Sequence, residues 1–186
     1  MENLKRLGEK RQKQKLTDKN IMETEVTSNK RTNLAIVSDR EIVMSRVFDA
    51  PRALIFKIYT DRKHIPQFWG PSKYTTIVDR LEVRVGGIWR FIQRDARGKE
   101  FAFNGVFKEI NSPKRLVYTF KFEGMPGHVI LETLTFEETN GKTTLTATAL
   151  FQNIEDRDGM LNSGMESGAA ESWDRLAELL EALKRK

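Results

Sequence analysis

The chain contains no cysteine. Disulfides, thiolate metal sites and cysteine nucleophiles are therefore excluded, and this usage fits a cytoplasmic protein. Only two histidines are present, His64 and His128, so a three-histidine zinc site cannot form and a histidine-based triad is poorly supplied. No apolar run approaches the roughly 18 residues of a membrane span, and the N-terminal residues contain no apolar segment of the secretory-signal type. A glycine-rich phosphate loop is also missing, since Gly86-Gly87 reads as a hairpin turn. No cofactor and no metal site is expected from these residues.

What remains is ordinary for a globular domain: 39% hydrophobic and 31% charged residues in 186, enough for one domain with a core and a tail. The net charge of +6 is unevenly spread. Residues 1–31 hold nine Lys and Arg against five Asp and Glu, so four of the six net positive charges lie there. The excess basicity belongs to the tail and says little about the folded part, and no nucleic-acid partner is expected. Residues 1–33 lack a sustained apolar period and read as a flexible basic extension, with the domain at 34–186. Met22, just ahead of the domain, is a candidate translation start, which the intact mass of the native protein decides.

A β-rich run from Ile42 to Phe48 stops at Asp49-Ala50-Pro51. Proline fits the first turn of a helix, where its missing N–H costs nothing, so a helix is expected from Pro51 to Thr60. Asp61 is the expected N-cap of a second short helix running toward Trp69, ended by Gly70-Pro71. From Tyr74 to Phe151 the pattern changes to strands, divided by turn signals at Gly86-Gly87, Asp95 to Gly98, Asn111 to Pro113, Gly124 to Gly127 and Asn140-Gly141. Asn-Gly is the strongest, because a two-residue type I′ turn needs positive φ at both positions. Short turns imply antiparallel neighbours, six in this stretch, and the first strand makes a seventh.

Alternation shows which side is buried. Trp89, Phe91 and Gln93 share a face, as do Phe101, Phe103, Gly105 and Phe107; then Leu116, Tyr118, Phe120 and Phe122; then Leu145, Ala147, Ala149 and Phe151. A last helix is expected from about Arg157 to Ala182, capped by Asp156 or Asp158. Its stripe runs through Met165, Ala169, Ser172, Trp173, Leu176, Leu179, Leu180 and Leu183, with small residues in its first half and leucines in its second. Small side chains there imply close backbone packing or unfilled space.

The motifs Val47-Phe-Asp-Ala-Pro51, Phe68-Trp-Gly-Pro71, Val85-Gly-Gly-Ile-Trp-Arg90, Phe103-Asn-Gly-Val106, and Asp158-Gly-Met160 with Gly164-Met165 follow one another in that order. In this order and setting the chain resembles the START-like, SRPBCC superfamily, and within it the single-domain bacterial and archaeal branch of homologues of the activator of heat-shock protein 90 ATPase. The resemblance covers about residues 35–183. It implies an α+β helix-grip fold: a curved antiparallel sheet of about seven strands around a long C-terminal helix, with two short helices after the first strand. Many relatives carry an aromatic directly after the glycine near the start of the last helix. Here Ala169 follows Gly168 and Trp173 comes one turn later, a departure that relocates aromatic bulk and changes the size of one end of a pocket.

The resemblance further implies a cavity between sheet and helix. Its expected lining is Trp69, Trp89, Phe91, Gln93, Phe103, Tyr118, Met165, Ala169, Ser172 and Trp173, with Gln93, Tyr118 and Ser172 as the orienting polar groups. The alternative is that these aromatics simply fill a core. His64 and His128 read as surface or capping residues. Arg46, Arg90 and Glu132 lie in strands as candidates to pair across the sheet, and Glu155, Asp156 and Asp158 form an acidic helix start without calcium-loop spacing. Three functions follow: non-catalytic binding of a small hydrophobic or amphipathic ligand, a co-chaperone-like interaction module, or a cyclase-, dehydratase- or hydrolase-like enzyme on an aromatic substrate. No acid–base dyad is evident for the third, and a cavity-facing group with shifted titration would favour it. The expected partners are a small hydrophobic ligand and a chaperone, in a monomer or homodimer.

Overall fold

The computed structural model describes residues 32–185. Residues 1–31 lie outside the described residues, and with them nearly all of the expected extension. The elements are β1 (Asn33–Ser38), β2 (Glu41–Phe48), α1 (Arg52–Thr60), α2 (Ile65–Phe68), β3 (Thr75–Leu81), β4 (Ile88–Arg94), β5 (Glu100–Asn111), β6 (Arg115–Phe122), β7 (Ile130–Thr139), β8 (Lys142–Leu150), α3 (Ile154–Asn162) and α4 (Met165–Lys184). The eight strands form one antiparallel sheet in the order β1-β2-β8-β7-β6-β5-β4-β3. This is the helix-grip architecture. Among the described residues no helix is long and apolar enough to cross a membrane.

All five turn signals fall between strands. Asn140 and Gly141 both have positive φ, 52° and 74°, and Thr139 pairs directly with Lys142, the two-residue hairpin that Asn-Gly favours. Register shifts between Val78 and Arg80 and between Phe107 and Glu109 supply the local bends that let a sheet curve. The concave face carries the alternating apolar rows. Its core joins Phe48, Ile55, Ile58, Ile65, Phe68, Leu116, Phe136, Leu145, Leu176 and Leu180. A smaller cluster of Ile42, Ile130, Ala149 and Phe151 sits against Met160 and Leu161 of α3.

Four expectations change. β1 is an eighth strand, starting at Asn33, one residue before the expected domain start. It is an edge strand with Ile36 and Val37 exposed, so it carries none of the burial alternation that marks the others. Asp61 does not cap α2, whose N-cap position is His64. The Asp61 carboxylate instead accepts from the Lys63 N–H at 2.8 Å, a local turn that competes with helix initiation. The last helix is two helices. Its first part is capped by Asn153, which accepts from the Asp156 N–H at 2.8 Å, rather than by Asp156 or Asp158. The break falls at Ser163-Gly164: Gly164 is left-handed at φ 78°, and the Ser163 hydroxyl turns back onto the Met160 carbonyl at 2.6 Å.

Gly105 shows how tightly the sheet's inner rows are packed. A β-carbon there would lie 1.6 Å from the Thr119 carbonyl oxygen and 2.5 Å from Trp89 Nε1. Gly105→Ala is expected to cost about 3 kcal/mol or more, because the backbone of β6 would have to yield. Urea denaturation of the variant measures this, and a loss below about 1 kcal/mol would show that the two strands are free to separate locally.

Candidate functional site

The site is built from the way α4 meets the loop after α2. One stretch of α4 presents Glu171, Ser172 and Arg175 to that loop. Arg175 donates to the carbonyls of Gly70 at 2.6 Å and Pro66 at 3.2 Å. The Ser172 hydroxyl accepts from the Gly70 N–H at 3.0 Å and donates to Gly168 at 2.8 Å. The Glu171 carboxylate accepts from the Ser72 N–H at 2.7 Å, and hydrogen bonds from Ser72 hold it below the usual carboxylate range. Thr76 donates to the Trp69 carbonyl at 2.7 Å. Fixed from both sides, Trp69 projects its ring onto Phe91 and Phe103, with centroids 5.2 and 5.4 Å away. The second half of α4 closes down on the core through Trp173, Leu176 and Leu180, all buried.

Between the first half of α4, α3 and the concave face lies a cavity of about 900 Å³. The structure brings all ten expected residues to its wall: Trp69 from the loop, Trp89, Phe91 and Gln93 from β4, Phe103 from β5, Tyr118 from β6, and Met165, Ala169, Ser172 and Trp173 from α4. Several serve both roles at once. Trp89, Phe91 and Trp173 line the cavity and are also among the buried core. Trp173 donates its indole N–H to the Tyr59 hydroxyl at 2.8 Å and stacks edge-on against Phe48 at 6.0 Å. Ser172 is not an orienting group for a guest, since its hydroxyl is committed to Gly70 and Gly168. Gln93 lies so close over Gly70 that a β-carbon there would fall 1.6 Å from its Nε2. Tyr118 has its hydroxyl pushed well above the ordinary phenol range, first by burial and then by the charge of Glu132.

Glu132, expected to pair across the sheet, instead lines the cavity. It sits on β7 opposite Tyr118 of β6 and Ala149 of β8. Of the other two candidates for cross-sheet pairing, Arg46 turns to α4 and Arg90 does pair across the sheet, but neither meets Glu132. Arg46 reaches Asp174 of α4 at 2.6 Å, and Arg90 pairs with Glu123 at 2.7 Å and Asp79 at 3.2 Å. Burial alone raises the Glu132 carboxyl to about 7, and no hydrogen bond or charge partner reaches it among the described residues. The strand alternation that places Leu116, Tyr118 and Phe120 inward was the available signal, because Ile130, Glu132 and Leu134 share one face of β7.

The histidines lie away from this carboxyl. His64 Nδ1 is 3.1 Å from Asp61. His128 is half exposed at the cavity mouth, its Nδ1 2.7 Å from Asp156 of α3. The acidic helix start is thus partly engaged: Asp156 with His128, and Asp158 with Arg157 at 2.6 Å.

A curved antiparallel sheet gripping a long C-terminal helix over an interior cavity defines a START-like helix-grip domain. A model of the family described as activator of Hsp90 ATPase homolog 1-like protein matches residues 49–181; the chain belongs to that family. Solved structures share the fold at low identity. Protein Ms6760 from Mycobacterium smegmatis is 22% identical with a TM-score of 0.73, over 81% of this chain and 96% of that one. A protein from Rhodobacter sphaeroides is 20% identical with a TM-score of 0.77, over 82% and 99%. The AHSA1 protein from Silicibacter pomeroyi is 19% identical with a TM-score of 0.63, over 77% and 99%. No curated protein matches the chain.

The raised Glu132 group makes stability depend on pH with a defined sign. Between the ordinary 4.5 and about 7 the folded chain holds a proton that the unfolded chain releases. Stability therefore falls as pH rises through this window and levels off above it, by roughly 3 kcal/mol in all. Glu132→Gln is expected to remove the effect. Urea midpoints at pH 5 and pH 8 should fall for the wild type across that interval and stay level for the variant; parallel behaviour of the two would place the carboxyl in water.

Proposed function

We propose that the protein binds a small hydrophobic or amphipathic molecule without covalent chemistry, in the cavity between the sheet and α4. The observation that carries this reading is the cavity itself: about 900 Å³, with a wall rich in aromatic rings and small helix residues and its polar side chains in the minority. That is the usual composition of a small-molecule pocket. A packed core of this size has no reason to leave aromatic faces uncovered, since closing on them is favourable. Domains of the matched family share the scaffold, and the scaffold alone does not choose a ligand.

Native mass spectrometry of gently purified protein, repeated after denaturation, tests the reading. An extra mass released by denaturation is the expected result, and its value constrains the ligand's formula. Ala169→Phe, which places a ring where many relatives carry one, is expected to lower binding of an apolar probe such as Nile red at least about tenfold with the circular dichroism spectrum unchanged. Retained probe binding in that variant would put the occupied site elsewhere.

Two specific observations support other roles. The family description supports a co-chaperone-like partner of the heat-shock protein 90 system; a pull-down with the cognate chaperone showing neither enrichment nor a change in its ATPase rate would remove that reading. The cavity-facing Glu132, raised to about 7, supports proton-transfer chemistry on an aromatic substrate, because that value suits a group that gives and takes protons near neutrality.

A further inference from the structure

Glu132 is part-buried in the cavity wall, and among the described residues no donor or cation pairs with its carboxyl. On the concave face its neighbours are Tyr118 across on β6, Ala149 across on β8, and Ile130 and Leu134 along β7. Every other charged residue of the cavity wall lies toward its edges: Lys73 and Glu171 beside the loop that holds α4, and His128, Glu155 and Asp156 at the end closed by α3. Arg46, the buried cation of the concave face, is spent on Asp174. A part-buried carboxyl in a largely apolar wall, without a donor among the described residues, marks a place where something else supplies the partner.

We propose that the ligand of this cavity is a cationic amphiphile, an apolar body carrying one protonated nitrogen, whose ammonium group pairs with Glu132 among the rings of Trp89, Tyr118 and Phe120. This deepens the binding reading above and rests on it. Three features favour a cation. The carboxylate offers acceptors and no fixed donor. Tyr118 lies opposite Glu132 in the β6–β7 register, and with Trp89, 5.8 Å from both Tyr118 and Phe120, it makes this part of the wall aromatic, a lining suited to positive charge. The small Ala147 and Ala149 of β8, also on the wall, leave space over the carboxyl on the side away from Tyr118. An anionic head group would meet Glu132 with no interior cation to offset it, and a neutral apolar ligand would leave the carboxyl buried and unpaired.

The titratable groups facing Glu132 are Tyr118 from β6 and Tyr59 from α1, whose phenols both feel its charge and are raised mainly by burial. β8 contributes Ala147 and Ala149, and α4 contributes Met165, Ala169 and Trp173, none of them titratable. At the mouth stand His128 and Asp156. Over the neutral range the phenols stay protonated, so Glu132 is the interior group that changes charge. Binding of an ammonium group then draws the proton from Glu132, and affinity rises with pH through the carboxyl's own range.

The test uses three probes of equal chain length, decylamine, decanol and decanoate, titrated calorimetrically into the full-length wild type and Glu132→Gln below their micellar concentrations. Decylamine is expected to bind about tenfold or more tightly than either partner at pH 8, with its advantage shrinking toward pH 6. In Glu132→Gln the amine is expected to fall to the level of decanol at both pH values. Ala169→Phe should weaken all three. Equal affinities for amine and alcohol in the wild type, or an amine preference that survives Glu132→Gln, would overturn the cationic assignment while leaving an apolar-ligand cavity standing. Failure of all three probes to bind would overturn both.

Discussion

The open interior of this domain depends on a short set of hydrogen bonds between one stretch of α4 and the segment formed by α2 and the loop after it. Apolar surfaces that face one another across a gap gain by closing, at roughly 25 cal/mol per Å² removed from water. Here the first half of α4 cannot approach the sheet freely. Arg175 and Ser172 hold the backbone of Gly70, and Glu171 holds Ser72, while the Trp69 ring stands on Phe91 and Phe103 of the sheet. The loop is a spacer, braced against the strands on one side and tied to the helix on the other. The leucine half of the same helix has no such spacer and packs directly. One helix thus serves as core at one end and roof at the other, a division set by the change from Ser, Gly and Ala to Leu along its sequence.

Most of the fold was legible in the residues because turns and alternation are local signals. Asn140-Gly141 fixes a hairpin by its dihedral needs, and the aromatic rows of β4, β5 and β6 identify their inner faces without reference to anything distant. The errors came where local signals were weak or competed. β1 is an exposed edge strand, so no buried face betrays it. Asp61 is a good capping type that finds its backbone donor two residues on and makes a turn. The helix break at Gly164 is a conformational event, and glycine in a small-residue run reads equally well as close packing.

The site was legible in part, for a related reason. Each expected lining residue was marked by its type and by its place on an inward row. Glu132 shared the row and had the wrong type for it. A carboxylate in a strand most often pairs across the sheet, and Arg46 and Arg90 offered themselves as partners. Which arginine meets which acid is decided by tertiary packing: Arg46 by the approach of α4, Arg90 by Glu123 at the far end of β6. What distinguishes Glu132 is that, among the described residues, no donor or cation pairs with it, and only the assembled fold reveals it.

The left-handed residue between α3 and α4 also divides the molecule's cooperativity. An unbroken helix transmits fraying along its hydrogen-bond ladder, so that loosening one end weakens the next turn. Gly164 interrupts that ladder. α3 rests on a separate small cluster around Ile42, Ile130 and Phe151, whereas α4 is anchored in the main core. The two helices therefore rest on apolar footings of different size, and the one with the smaller footing is the one expected to open first. In that case the exit of any guest beneath α3 would be governed by a local opening, and residence time would be set apart from affinity.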